Sequence, residues 1–242
     1  MKTEVYKNYI ALSEAVSDKI IEAVKENPSA VLCLATGKTP VLAYELLVKK
    51  ALSAKVSFSN CMFIQLDEWI GISPKTEGSC YDTLNRQLFK PLGISATQII
   101  MFNALTGSED NECMKMNEAI KNLEGIDLML VGVGMNGHIG FNEPGTDFET
   151  ATHVSILQPA TIESGLKKFP GVTISGKGFT LGLKNVLDAK LLLVVANGEG
   201  KADILQQGII GEITTQVPVS VVRHHANSIL MLDEAAASLL HR

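Results

Sequence analysis

Leu128-Met129-Leu130-Val131 runs into Gly132-Val133-Gly134-Met135-Asn136-Gly137-His138, an apolar stretch that breaks off into a loop of glycine, amide and imidazole. The same change occurs elsewhere in the chain. Val31-Leu32-Cys33-Leu34-Ala35 gives way to Thr36-Gly37-Lys38-Thr39-Pro40, and Met62-Phe63-Ile64-Gln65-Leu66 to Asp67-Glu68-Trp69. Leu191-Leu192-Leu193-Val194-Val195 leads to Gly198-Glu199-Gly200-Lys201. Short apolar runs of this kind, bounded by turn residues, read as buried strands. In an open α/β sheet, ligands bind in the crevice beyond the carboxyl ends of the strands. Loops distant in the chain can therefore converge on one site.

Helical patterns lie between these runs. Residues 13–26 place Ala15, Val16, Ile20, Ala23 and Val24 on one face, and Asn27-Pro28 ends the pattern. A second helix is expected over 40–52, where Pro40 suits the first turn because its missing N–H is not needed there. Further helices are expected over 81–89, 109–123, 161–169 and 201–207. Strands are expected over 31–35, 62–66, 99–102, 128–133, 153–157, 191–195 and 228–232. Residues 134–147 are too rich in Gly, Asn and Pro for regular structure. The alternation predicts an α/β fold with a mostly parallel sheet and helices on both faces, as one domain over 1–242.

Composition narrows the function. The 242 residues are 46% hydrophobic, enough for a sizeable core. A formal net charge of -5 disfavours a nucleic-acid surface, which needs clustered cations, but allows a local anion pocket. None of the four cysteines forms a C-x-x-C pair, and none has a His at zinc-finger spacing, so no metal site is expected. Residues 1–14 lack an apolar signal core, and no run reaches the ~18 apolar residues of a membrane span. A cytoplasmic protein with reduced thiols is expected. His153, the pair His224-His225 and His241 are expected to be structural or idle.

The polar loops offer chemistry, each beside a plainer alternative. Thr36, Gly37, Lys38 and Thr39 join a strand to a helix start, which suits an anion and equally an ordinary capped turn. Residues 132–137 match G-x-G-x-x-G, but no helix follows and the region near Ile156 lacks the required carboxylate, so a dinucleotide site is rejected. The continuation His138-Ile139-Gly140-Phe141-Asn142-Glu143-Pro144 supplies an imidazole, a carboxylate and an amide in addition to Asn136. That combination suits general acid–base catalysis; a structural histidine is the alternative. Strand alternation sends Asp67 and Glu68 to opposite sides, so at most one faces the crevice. Lys201, a cation in a Gly-rich turn at a helix start, points to a bound anion or to a solvated surface lysine.

Taken together, these residues resemble the glucosamine-6-phosphate deaminase (isomerase) family. Its L-[AP]-T-G-x-T-P is matched by Leu34-Ala35-Thr36-Gly37-Lys38-Thr39-Pro40, and its L-D-E-[YW] by Leu66-Asp67-Glu68-Trp69. Its G-x-G-x-[ND]-G-H-I-[AG]-F-N-E-P is matched from Gly132 through Pro144. The resemblance implies a three-layer, Rossmann-like sandwich and a cofactor-free conversion of a hexosamine 6-phosphate to the ketohexose 6-phosphate plus ammonia. By position, Asp67 would move a proton between C2 and C1. His138, with Glu143 and Asn136 around it, would open the sugar ring. Thr36, Gly37, Lys38, Thr39, Lys201 and Lys167 would hold the phosphate.

Departures from the family pattern carry information. The T-R-x-x-N-x-R stretch reads here Thr161-Ile162-Glu163-Ser164-Gly165-Leu166-Lys167, losing the first Arg and the Asn. Lys167 replaces the second Arg and cannot offer a bidentate fork. With Leu181-Gly182-Leu183-Lys184, these changes look more like the galactosamine-6-phosphate branch, so either epimer remains a candidate substrate. The chain is shorter than the large allosteric hexameric members, and their regulation is not expected here. The implied partner is a small sugar phosphate; monomer and homo-oligomer are both open. Two rivals share the fold: a 6-phosphogluconolactonase, which needs no C2 base, and a non-catalytic sugar-phosphate sensor, which tends to lose the catalytic set.

Overall fold

The computed structural model describes residues 1–240, so His241 lies outside the described residues. Among the described residues ten strands run in chain order: β1 Lys2–Tyr6, β2 Val31–Leu34, β3 Met62–Ile64, β4 Asp67–Trp69, β5 Ile99–Ile100, β6 Leu128–Gly132, β7 His153–Ile156, β8 Lys177–Thr180, β9 Leu191–Ala196 and β10 Ser228–Asp233. Seven of them form one sheet in the order β1-β10-β9-β6-β2-β3-β5, and every pairing in it is parallel. Helices cover both sides of this sheet. Parallel strands covered this way are apolar on both faces, and β2 is buried throughout.

The helices follow from local chemistry. Tyr9–Glu26 starts at Asn8, whose side chain accepts from the Ala11 N–H, and carries Lys25 in its last turn. Leu12, Val16 and Ile20 lie one turn apart on its buried face. Burying each is worth about 1.5–3 kcal/mol. The helix Val41–Ser53 packs against it, and no side chain caps its first turn.

The strand order has a switch point. From β2 the chain moves outward through β3 to β5, then returns to β6 on the other side of β2 and continues to β9 and β10. The carboxyl ends of β2 and β6 flank the reversal, where open α/β sheets bind ligands. Residues 36–40 leave β2 there, residues 133–138 leave β6, and residues 197–201 leave the neighbouring β9.

Two expectations require correction. The strand expected over 62–66 ends at Ile64, and Asp67–Trp69 belongs to a second sheet with antiparallel order β4-β8-β7. Asp67 pairs with Thr180 and Trp69 with Gly178. Gln65 makes the transition: its amide oxygen accepts from the Phe102 N–H at 2.9 Å and its amide nitrogen donates to Glu68 at 2.8 Å. The helix expected over 81–89 is a short α-helix Cys80–Leu84 followed by a π-helical stretch Asn85–Phe89. β1, β8, the helix Leu183–Asp188 and the 3-10 stretch Pro218–His224 were not anticipated.

Candidate active site

The tip of the first sheet's neighbour, β4, presents two adjacent carboxylates with different surroundings. Glu68 is buried and fully bonded: its oxygens accept from Gln65 Nε2, the Trp69 N–H, the Cys80 N–H and the Tyr81 N–H at 2.8–3.0 Å. Two of those donors belong to the start of the helix Cys80–Leu84. Asp67 faces a different environment. Burial, the negative charge of Glu68 beside it, and the opposing effects of a hydrogen bond from Cys80 and the charges of Lys168 and His138 leave its carboxyl at about 6. A carboxyl in that range can take and return a proton near neutral pH.

The loop after β6 builds the second half. Gly134 N–H donates to the His138 carbonyl at 2.9 Å, Gly137 adopts φ +82, and Asn136 Oδ1 accepts from the His138 N–H at 3.2 Å. Gly134 is required for a close approach: a Cβ there would stand 2.3 Å from the His138 ring. Glu143 lies beside the imidazole. Its Oε2 is 2.8 Å from Asn136 Nδ2 and 3.4 Å from His138 Nδ1, and its Oε1 accepts from the Thr161 hydroxyl at 2.5 Å. The His138–Glu143 approach is an ion-pair distance without full hydrogen-bond alignment, and Nδ1 has no closer partner. Burial alone would raise the Glu143 carboxyl, but the adjacent His138 ring and the hydrogen bonds from Thr161 and Asn136 outweigh it and hold it at about 2. Glu143 is therefore a carboxylate throughout the physiological range.

Residues 36–39 border the same crevice. The Thr36 hydroxyl donates to Cys80 Sγ at 3.5 Å, Thr39 donates to Asn197 Oδ1 at 2.8 Å, and Gly37 adopts φ +114. Lys38 is exposed at the tip of the turn. Lys201 is half-buried with its ammonium 3.3 Å from Met135 Sδ, and burial lowers its pKa. It takes part in none of the ion pairs among the described residues.

Lys167 is not brought to this cluster. Its ammonium pairs with Glu163 at 2.7 Å and its side chain is 75% exposed. Lys168 is the lysine whose charge acts on Asp67. Helical spacing explains the difference. Thr161 and Gly165 are the buried residues of the helix Pro159–Lys168, and Lys168 continues their face while Lys167 lies over Glu163.

Comparison with known proteins decides the family. The family described as glucosamine-6-phosphate isomerases/6-phosphogluconolactonase matches residues 7–231. The chain belongs to this glucosamine-6-phosphate isomerase/6-phosphogluconolactonase family. A glucosamine-6-phosphate deaminase of Clostridium perfringens (strain 13 / Type A) is 38% identical over 99% of this chain and 100% of its own. A putative deaminase, AgaI, of Escherichia coli (strain K12) is 36% identical over 94% of this chain and 90% of its own. A solved monomeric glucosamine-6-phosphate deaminase superposes with a TM-score of 0.94 at 32% identity, covering 99% and 100% of the two chains. The 6-phosphogluconolactonase of Trypanosoma brucei, at 20% identity and a TM-score of 0.75, shares the fold.

Within the family pattern, the departure at Gly165 has a packing reason. Gly165 stands where the pattern has Asn, and a Cβ there would meet the Trp69 ring at 2.6 Å. The indole needs that space: it packs edge-on against Phe141 and Phe169, at 4.9 and 5.7 Å between ring centroids. Cys80, Gln158 and Lys168 were not found from the sequence. Each is marked only by its place in the fold; Thr161 stood in a matched stretch without an assigned role.

His225 turns inward, donating from Nε2 to the Ala189 carbonyl at 2.7 Å and accepting from the Asn227 N–H at 3.0 Å. The four cysteines are buried free thiols. No helix among the described residues is long and apolar enough to cross a membrane. Among them, no group of three or more His, Cys, Asp and Glu converges as a metal site.

Proposed function

We propose that this protein deaminates a hexosamine 6-phosphate, either glucosamine or galactosamine 6-phosphate, to the ketohexose 6-phosphate and ammonia. The observation that carries this reading is the buried Asp67 carboxyl, held at about 6 within electrostatic reach of His138. In this account the imidazole moves a proton from O1 to O5 and opens the ring, with Glu143 and Asn136 holding it in place. Asp67 then removes the C2 proton; that electron pair forms the C1–C2 double bond, the C1 carbonyl pair moves to O1, and O1 takes a proton from the C2 ammonium to give the enolamine. Return of the proton to C1 leaves an iminium at C2. Addition of water there releases ammonia and forms the ketone.

The phosphate is assigned to the turn containing Thr36, Gly37, Lys38 and Thr39, together with Lys201. The uncapped start of the helix Val41–Ser53 supports that assignment, because its free N–H groups favour an anion. The phosphate is remote from C1 and C2, so its binding energy holds the reacting carbons in register.

The test is ammonia release from glucosamine 6-phosphate and galactosamine 6-phosphate, beside hydrolysis of 6-phosphogluconolactone. Ammonia from either amino sugar supports the reading and gives the preferred epimer. Lactone hydrolysis without ammonia overturns it.

A further inference from the structure

The helix Pro159–Lys168 is attached to both halves of the site. At its start, the Gln158 N–H and the Thr161 hydroxyl donate to the same oxygen, Oε1 of Glu143, at 3.3 and 2.5 Å. The other oxygen, Oε2, is left for Asn136 at 2.8 Å and His138 Nδ1 at 3.4 Å. One turn beyond Thr161, Gly165 lies against the Trp69 ring. At the far end of the helix, Lys168 acts on Asp67. Thr161 and Glu143 are both buried, so neither has bulk water as a replacement partner.

We propose that Thr161 is a positioning residue: by fixing Oε1 of Glu143 it aims Oε2 at His138 and determines which ring nitrogen carries the proton. The terminal torsion of a glutamate is broad, so a carboxylate is oriented only when its oxygens have partners. Of the two Oε1 donors, the Thr161 bond is much the shorter. With Oε2 beside Nδ1, the neutral ring keeps its proton on Nδ1 and leaves Nε2 free to accept one from a substrate hydroxyl. The groups facing Glu143 are His138 and Asn136 from the β6 loop and Gln158 and Thr161 from the helix; His138 is the ionisable one. The activity arm of the test rests on the proposed deamination, whereas the spectroscopic arm does not.

Thr161→Ala and Thr161→Ser differ by one oxygen atom. The test records 15N spectra of the histidine rings, with His138 assigned by its loss in His138→Gln, and kcat and KM for ammonia release. The Ala variant is expected to shift His138 towards the Nε2-protonated form and to lower kcat about tenfold, with KM within about twofold. The Ser variant is expected to keep the wild-type ring spectrum and kcat within about threefold. Emission from Trp69, the chain's single tryptophan, reports whether the helix stays docked. If the Ala variant undocks it, Thr161→Val fills the volume without the hydroxyl and replaces Ala in the comparison. Ser and Ala variants with the same ring spectrum and the same kcat would overturn the proposal. A wild-type protein inactive on both amino sugars would remove the deaminase reading, while the ring spectra would still decide the role of Thr161.

Discussion

Asp67 and Glu68 are neighbours in one strand, yet Glu68 is bonded on both oxygens by four donors whereas Asp67 has a thiol beside it and a carboxyl raised to about 6. Strand alternation separates them, and the start of the helix Cys80–Leu84 anchors Glu68. One carboxylate supports the structure and the other remains available for chemistry.

The buried Asp67 should make itself visible in stability. Its carboxyl rises from an ordinary 3.8 to about 6 in the folded protein, so the folded state holds its proton more tightly than the unfolded state. Between those values the unfolded chain ionises first, and stability falls as pH rises, by about 3 kcal/mol in all. Asp67→Asn removes that loss. The variant should exceed wild type in urea midpoint at pH 8, and the gain should shrink as pH falls towards 4. A constant difference across that range would mean that Asp67 ionises normally.

Glu68→Gln should weaken the fold. The substituted amide has one acceptor oxygen for three backbone N–H donors and turns its own NH2 towards one of them. An unsatisfied buried donor costs about 1–3 kcal/mol. For a chain of this size that lowers Tm by roughly 3–10 °C. Calorimetry checks it; an unchanged Tm would show that these bonds contribute little.

Gly134→Ala should damage turnover more than stability. The added methyl would overlap the His138 ring, and the exposed side of the crevice gives the ring room to move. A displacement of about 1 Å at a reacting group costs roughly 100-fold in rate. Steady-state kinetics at pH 7.5, alongside a melting curve, separates loss of kcat from loss of fold.

Lys201→Ala and Lys167→Ala should behave differently. Lys201 is a half-buried cation outside the ion pairs, so its loss should raise KM about tenfold with kcat little changed. Lys167 is paired outwards with Glu163, and its loss should change neither constant by more than about twofold. Equal effects would contradict the assignment of the phosphate to the Lys201 side.

Much of this arrangement was legible in the sequence. Val31–Leu34, Leu128–Gly132 and Leu191–Ala196 are contiguous apolar runs because both faces of a parallel sheet are covered. The loops following them could be placed at one end of the sheet for that reason. β1 was missed because its largely exposed Lys-Thr-Glu-Val-Tyr has no such run. β8 was missed because Gly178 interrupts it, and that glycine is there to admit the Phe141 ring at 2.3 Å from a Cβ position. The passage of Asp67 into a second sheet leaves no mark in Phe63-Ile64-Gln65-Leu66-Asp67, which continues the apolar pattern. That Lys168 acts on Asp67 while Lys167 pairs outwards with Glu163 follows from the rotation of the helix, which Gly165 packing on Trp69 fixes.

In the proposed reaction Asp67 carries a proton from C2 to C1 over the same sugar that His138 opens. The most direct test follows deuterium from amino sugar 6-phosphate labelled at C2, in ordinary water, with product analysed by NMR. The wild-type protein should release ammonia, with an acid limb near pH 6, and place part of the label at C1 of the ketose. Asp67→Asn should bind the substrate, release no ammonia and transfer no label. Ammonia release by Asp67→Asn at the wild-type rate, with label still appearing at C1, would show that another group moves the proton.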